Sequence, residues 1–230
     1  MSSPVRYSDG VTNVSSDKTM GQFLAPDPTK VHLFFDDFDT YTAGQWTVTE
    51  TNAAATEALT DGDGGLLLIT NTNLENDAVS MQKVGESFLM ATGKKAWFKT
   101  RFQVSEGTQV DLLMGLAITD TTPLNASDGV FFRKDDGDTN VDFIVVKNSV
   151  ESSLEGVGTM ASGTNIILGW YYDGLTTFYI YVNDVLVGTL SYTAASFPND
   201  EELTVTMHHE TGAAGAQTMT VDYILAAKER

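Results

Sequence analysis

The chain has 230 residues and no cysteine, so a disulfide frame, a thiolate metal site and a cysteine nucleophile are all excluded. Basic side chains are scarce: 13 Lys and Arg stand against 31 Asp and Glu, a formal net charge of −18. That balance argues against nucleic acid or an anionic membrane as partner, because both need Lys/Arg-rich surfaces. Long apolar runs are missing as well. No window holds the ~20 apolar residues that span a bilayer. The first residues, Met1-Ser2-Ser3-Pro4-Val5-Arg6, lack the apolar stretch of a secretion signal, so the expectation is synthesis in a cytoplasm. The glycosylation sequons Asn13-Val14-Ser15 and Asn125-Ala126-Ser127 are therefore read as chance. What is present suffices for a core: 42% of residues are hydrophobic and 10% aromatic.

Residues 1–30 differ from the rest. They are polar, marked by Pro4, Pro26 and Pro28, and hold no helical or strand period for long. They read as an extended N-terminal arm. From residue 31 to 230 the pattern is strand after strand, rich in β-branched and aromatic residues. Strands are predicted at Val31–Phe35, Gln45–Glu50, Leu66–Thr70, Ala78–Gln82, Ala96–Val104, Asp111–Thr119 and Val130–Lys134. Further strands are predicted at Val141–Lys147, Ile166–Tyr172, Thr177–Val182, Val185–Leu190, Leu203–His208 and Met219–Leu225. Gly/Asp/Asn clusters such as Asp135-Asp136-Gly137-Asp138, Asp173-Gly174 and Asn183-Asp184 separate them. This spacing predicts an all-β antiparallel sandwich. In the hairpin around Asp173-Gly174, Phe178, Ile180 and Val182 face one side while Tyr179 and Tyr181 face the other.

The order of these strands resembles the concanavalin A-like jelly roll of lectins, laminin-G-like modules and glucanases. The resemblance rests on Phe35-Asp36-Asp37-Phe38-Asp39 leading to Trp46, on Gly65–Thr70, on Trp97–Val104 and on Leu168–Gly174. The hairpin ending Tyr181–Gly188 and the closing Met219–Ile224 complete it. Gly115–Pro123, followed by Ser127–Gly137, is similar to a group of tailed-bacteriophage structural proteins, and so is the opening Arg6–Val14. That resemblance implies a capsid decoration (cement) protein, a homotrimer on the virion exterior that binds the major capsid protein.

Glycoside hydrolysis needs two carboxylates flanking the bond. Glucanases of this fold carry them on one strand as Glu-x-Asp-x-x-Glu, and the nearest fragment, Glu75-Asn76-Asp77-Ala78-Val79-Ser80, lacks the final acid. The expectation is no enzymatic activity and no catalytic residue. Asp136-x-Asp138-x-Asn140 begins like a calcium loop but has Val141 where the turn needs glycine and Lys147 where it needs an acid. Asp61-Gly62-Asp63-Gly64-Gly65 reads as a tight turn. No cofactor or metal is expected, with room left for a structural calcium. His208 and His209 are strand neighbours and point to opposite faces; His32 stands alone.

Two functions fit these observations. The first is capsid decoration, with Arg6, Tyr7, Val11, Val14, Met20, Phe23 and Leu24 of the arm as partner-binding residues. The second is a carbohydrate-binding, lectin-like module of a phage tail, fibre or other attachment protein. Its aromatic candidates are Trp46, Tyr179 and Tyr181, while Trp97 and Trp170 are assigned to the core. Within residues 1–30, Arg6, Lys18 and Lys30 balance Asp9, Asp17 and Asp27, so the whole net charge belongs to the body.

Overall fold

The computed structural model describes residues 29–62 and 64–230. The arm residues Arg6, Tyr7, Val11, Val14, Met20, Phe23 and Leu24 lie outside the described residues. In chain order the strands are β1 (Val31–Asp36), β2 (Trp46–Glu50), β3 (Thr56–Thr60), β4 (Leu66–Thr70) and β5 (Ala78–Lys83). Next come β6 (Ala96–Val104), β7 (Val110–Ala117), β8 (Gly129–Lys134), β9 (Asn140–Lys147) and β10 (Val150–Thr159). The last five are β11 (Ile166–Tyr172), β12 (Thr177–Val182), β13 (Val185–Ser191), β14 (Thr204–Thr211) and β15 (Thr218–Glu229).

They form two antiparallel sheets packed face to face, the jelly-roll sandwich that the strand pattern implied. Sheet A runs β13-β12-β11-β6-β15-β4-β3, with β1 also on β15; sheet B runs β10-β9-β8-β7-β14-β5-β2. The twelve residues of β15 hold two partners end to end, β4 along Thr218–Val221 and β1 along Ile224–Glu229. Between these halves the register against β6 shifts by one at Asp222. This bulge passes the inward role from Met219 and Val221 to Ile224 and Ala226, so the apolar side stays inside.

Alternation builds the core. On β6, Ala96, Phe98, Phe102 and Val104 point inward, and on β11 Ile166, Leu168, Trp170 and Tyr172 do so. Trp170 stacks on Phe98, meets Phe178 edge-on at 5.7 Å, and Phe178 reaches Phe143 of the other sheet at 5.5 Å. The inner faces are therefore locked by aromatic contacts that need both sheets in place.

The sequence reading missed β3 and β10. Both are edge strands and mostly solvent-exposed, so neither carries the apolar alternation that marks a half-buried strand.

Buried polar groups pin the crossover from β4 to β5. Asn71 donates through Nδ2 to the carbonyls of Asp77 and His209, and its Oδ1 lies 2.8 Å from His209 Nδ1. The Asp77 carboxylate accepts from Thr72 N–H and, at 2.9 Å, from Thr51 Oγ1. Asp77 thus serves the crossover, not a strand of catalytic acids. Lys134, fully buried, donates to the carbonyls of Thr108 (2.9 Å), Val110 (2.7 Å) and Asp135 (3.0 Å).

The outer face of sheet B is largely closed by its own chain. Residues 118–128 fold across it, and Leu124 and Ala126 pack on Leu113, Phe131, Ile144 and Val146. Gln82 clamps this loop, donating to Ile118 O and accepting from Asp120 N–H, each at 2.9 Å. A Cβ on Gly115 would sit 2.5 Å from Phe131 Cα, and one on Gly129 would sit 2.7 Å from the Phe131 ring. Gly115 and Gly129, which lie within the Gly115–Pro123 and Ser127–Gly137 segments of the phage resemblance, therefore make the seat of Phe131.

His209 gives the fold a measurable signature. Burial, aided by the neighbouring His208, lowers its pKa to about 3 from the usual 6.5. The unfolded chain takes up that proton near pH 6.5, so the associated stability is complete above pH 6.5 and lost as pH falls toward 3. Urea unfolding at pH 7 and pH 4 will show a loss of a few kcal/mol on acidification. His209→Gln, which can still donate to Asn71, will shrink that difference; an undiminished difference would contradict the assignment.

Candidate functional site

The same alternation that fills the core carries aromatic side chains to the outside of sheet A. Across β6, β11 and β12 the register aligns Trp97 with Tyr171 and Tyr171 with Tyr179. Their rings stack in a row, at 5.5 Å for Trp97–Tyr171 and 5.7 Å for Tyr171–Tyr179. In the next row Leu225, Lys99, Gly169 and Tyr181 lie side by side. Beyond them Phe35 meets Tyr223 at 6.5 Å. Antiparallel sandwiches usually put polar residues on an outer face; this one departs from that rule over five strands.

The charges set among these rings are balanced. Lys99 pairs with Asp184 and Arg101 with Asp222. Lys95, Asp173 and Glu229 stand close enough to Tyr171 to act on its hydroxyl as well. Burial raises the Tyr171 and Tyr181 hydroxyls above their usual pKa and takes Tyr223 to about 12. At physiological pH all three remain protonated and can both donate and accept hydrogen bonds. Ring edges, hydroxyls and paired ions together suit a ligand that is part apolar and part polyhydroxylated.

Tyr179 and Tyr181 stand on this face, as their alternation predicted. Trp46 does not: it is 5% exposed, on the inner side of β2, between Phe34 (5.9 Å, edge-on) and Phe38. Its removal from the glycan candidates is a correction. Trp97, expected in the core, is a second one. Its inward neighbours on β6 are Ala96 and Phe98, so Trp97 shares the outer side with Lys99 and Arg101. That company was visible in the sequence, and the general burial of tryptophan outweighed it. Trp170 is in the core as expected.

The other candidate chemistry resolves into local roles. His208 and His209 point to opposite faces, His208 meeting Ser80 Oγ at 2.7 Å and Glu210 Oε2 at 3.3 Å. His32 lies 3.0 Å from Ser87 Oγ and against the Phe88 ring. Asp138 accepts from Asn140 N–H at 2.7 Å, while Asp136 leans over Gly212. Among the described residues no group of three or more His, Asp or Glu converges as for a metal ion.

One pairing of acids comes from tertiary structure. Asp111 of β7 and Glu210 of β14 face each other in register on the outer side of sheet B. Desolvation raises the Asp111 carboxyl above its usual pKa, helped by the charges of Asp136, Glu210 and Asp135. A search along single strands could not see an acid pair made by two.

No protein-family model matches the chain, and no curated protein matches it. Solved structures do. Peanut lectin superposes with a TM-score of 0.59 at 11% identity, covering 86% of this chain and 97% of that one. An endo-1,3-β-glucanase from Streptomyces sioyaensis gives 0.60 at 14%, covering 90% and 99%. An endo-β-1,4-glucuronan lyase from Trichoderma reesei gives 0.56 at 12%, covering 84% and 94%. The fold is thus the concanavalin A-like jelly roll, shared by lectins and polysaccharide-cleaving enzymes. This corrects the expectation of no enzymatic activity: that exclusion rested on one missing single-strand pattern, and the fold's neighbours include hydrolases and a lyase. Nothing among these neighbours points to capsid decoration.

The two tryptophans separate surface from core experimentally. Trp170→Ala will cost about 3–5 kcal/mol of stability, as for a fully buried large aromatic. Trp97→Ala will cost at most about 1.5 kcal/mol, the scale of one aromatic pair contact. Chemical denaturation midpoints measure both, and equal losses would put Trp97 back in the core.

Proposed function

We propose that this chain is a non-covalent carbohydrate-binding module whose ligand lies on the outer face of sheet A. The observation that carries the reading is the row of Trp97, Tyr171 and Tyr179, flanked by Tyr181, on a face where Lys99 and Arg101 are paired with aspartates. Sugars offer apolar C–H patches and a ring of hydroxyls, and this face offers ring edges, phenolic hydroxyls and paired ions to match. The fold it shares with lectins supports the reading. Neutral glycans suit it better than anionic ones, since Lys99 and Arg101 are already paired with aspartates.

A second reading, a virion structural protein, is favoured by the formal neutrality of residues 1–30 beside a body that holds the entire −18. The arm would grip the major capsid protein and the body, as a homotrimer, would face outward from the capsid. Many weak contacts repeated over a lattice would then stabilise the shell by mass action and avidity. Neither reading calls for a cofactor.

A glycan array with the full-length protein, followed by titration of retained oligosaccharides, tests the first reading. Tyr179→Ala combined with Trp97→Ala will weaken binding about tenfold or more, the worth of one or two aromatic contacts. The melting transition will remain cooperative. No retention of any glycan by the parent protein, or unchanged affinity in the double variant, would sink this reading. Co-sedimentation with assembled capsid shells that is lost without residues 1–28 would establish the second in its place.

A further inference from the structure

Along their pairing paths the two sheets end in strands of different character, β13 and β3 in sheet A, β10 and β2 in sheet B. β2 carries Glu50, β3 carries Glu57, and β10 carries Glu151 and Glu155. Such charges are the usual means by which a soluble sheet blunts an open edge. β13 reads Val-Leu-Val-Gly-Thr-Leu-Ser, with neither a charge nor a proline. Val185, Leu186 and Val187 are 63%, 50% and 45% exposed, three large apolar residues in succession. No charged side chain follows until Asp200. Asp184, just before the strand, is held by Lys99.

The inner side of β13 is closed by its own chain. A Cβ on Gly188 would meet Leu154 Cδ2 of β10 at 2.7 Å, and Leu190, opposite Phe178, packs on the core. The edge is different: among the described residues β13 pairs with β12 alone. Asn183 and Asp184 have φ of 51° and 63°, the two-residue loop of a type I′ hairpin. Val182 and Val185 are then the hydrogen-bonded pair that closes the loop, so Leu186 directs its N–H and C=O away from β12. Val187 is the extra residue of a bulge that follows. On the outer face of sheet A, Leu186 stands beside Tyr181 and Thr189 beside Tyr179.

We infer that β13 is a self-association edge whose occupant is β13 of a second copy, laid antiparallel about a two-fold axis. Charge selects that occupant. Two chains of −18 repel wherever carboxylates meet, and β13 lets them approach over a strand that has none. Symmetry fits as well, because an antiparallel strand on its own copy makes one surface supply both halves of the contact. Val185, Leu186 and Val187 lose their water exposure, and the outward N–H and C=O of Leu186 gain partners. Sheet A then runs on from one copy into the next, with the Tyr179 and Tyr181 strand one place in from the joint on either side. Seven residues span roughly 24 Å, a short contact, so the dimer is weak and concentration-dependent. This inference stands apart from the glycan reading, and it joins two copies where the capsid reading has three.

Sedimentation velocity of the full-length protein, from about 2 to about 200 μM, tests it. A monomer–dimer equilibrium is expected. Leu186→Lys and, separately, Val187→Lys will each weaken it about tenfold or more, since like charges then meet across the axis. Both side chains are exposed, so the melting transition of the dilute variants will match that of the parent. Leu59→Lys, an equally exposed position on the β3 edge, will leave the dimer intact. A parent that stays monomeric, a trimer, a dimer that either β13 variant preserves, or one that Leu59→Lys also abolishes would overturn the inference. Amide exchange in the unmodified protein checks the edge itself. Leu186 N–H will exchange about threefold or more slowly at the highest concentration than at the lowest, and equal rates would overturn the assignment of β13.

Discussion

A strand has two sides, and in a two-sheet sandwich only one of them can enter the shared core. Every other property of this molecule depends on that constraint. The inward sides are committed by aromatic contacts that cross between the sheets, from Trp170 through Phe178 to Phe143. The bulge at Asp222 keeps β15 faithful to it over twelve residues. What remains free is the pair of outward faces, and the chain treats them differently. On sheet B, residues 118–128 fold back and bury a second apolar cluster around Leu113 and Phe131. On sheet A the aromatic row of Trp97, Tyr171 and Tyr179 is half-buried. A protein that closes one apolar face and leaves the other partly open has a use for the open one.

How much of this could be read beforehand follows the same constraint. Strands that lie deep in a sheet, such as Ala96–Val104, Ile166–Tyr172 and Thr177–Val182, announce themselves by alternation and end where it ends. β3 and β10 bury little on either side, so burial left no period in their residues to find. Individual side chains were harder than strands. Trp46 and Trp97 are both strand tryptophans, and only the phase of the neighbours decides which is inside. Ala96 and Phe98 fix the phase for Trp97, whereas Trp46 opens its strand and is placed by Phe34 and Phe38, which arrive from elsewhere. Contacts between distant segments left no local trace at all. The Asn71–His209 bond spans 138 residues, and the register that sets Asp111 against Glu210 exists only once β7 and β14 lie together.

The same distinction explains why the fold cannot by itself decide between binding and catalysis. Lectins, glucanases and a lyase share it, so the scaffold tolerates each, and function resides in whichever outward side chains the register brings together. On sheet B the register gathers Ser80, His208, Glu210 and Asp111. Their mutual contacts and near-complete burial at Ser80 and His208 give them structural occupation. On sheet A it gathers rings and hydroxyls around the Lys99–Asp184 and Arg101–Asp222 pairs.

Charge then separates the regions that can touch another molecule from those that cannot. Two copies of a −18 body repel wherever acidic surfaces meet, and so would this body and any acidic partner. Close approach is easiest where the charge is locally cancelled. The Lys99–Asp184 and Arg101–Asp222 pairs of sheet A meet that condition, and residues 1–30 are formally neutral in sequence. β1 adds the exposed Leu33 and Phe35 to the margin of the sheet A face. Paired charges and apolar exposure thus converge on one side of the sandwich. The excess negative charge is left to the rest of the body, where it favours solubility over contact.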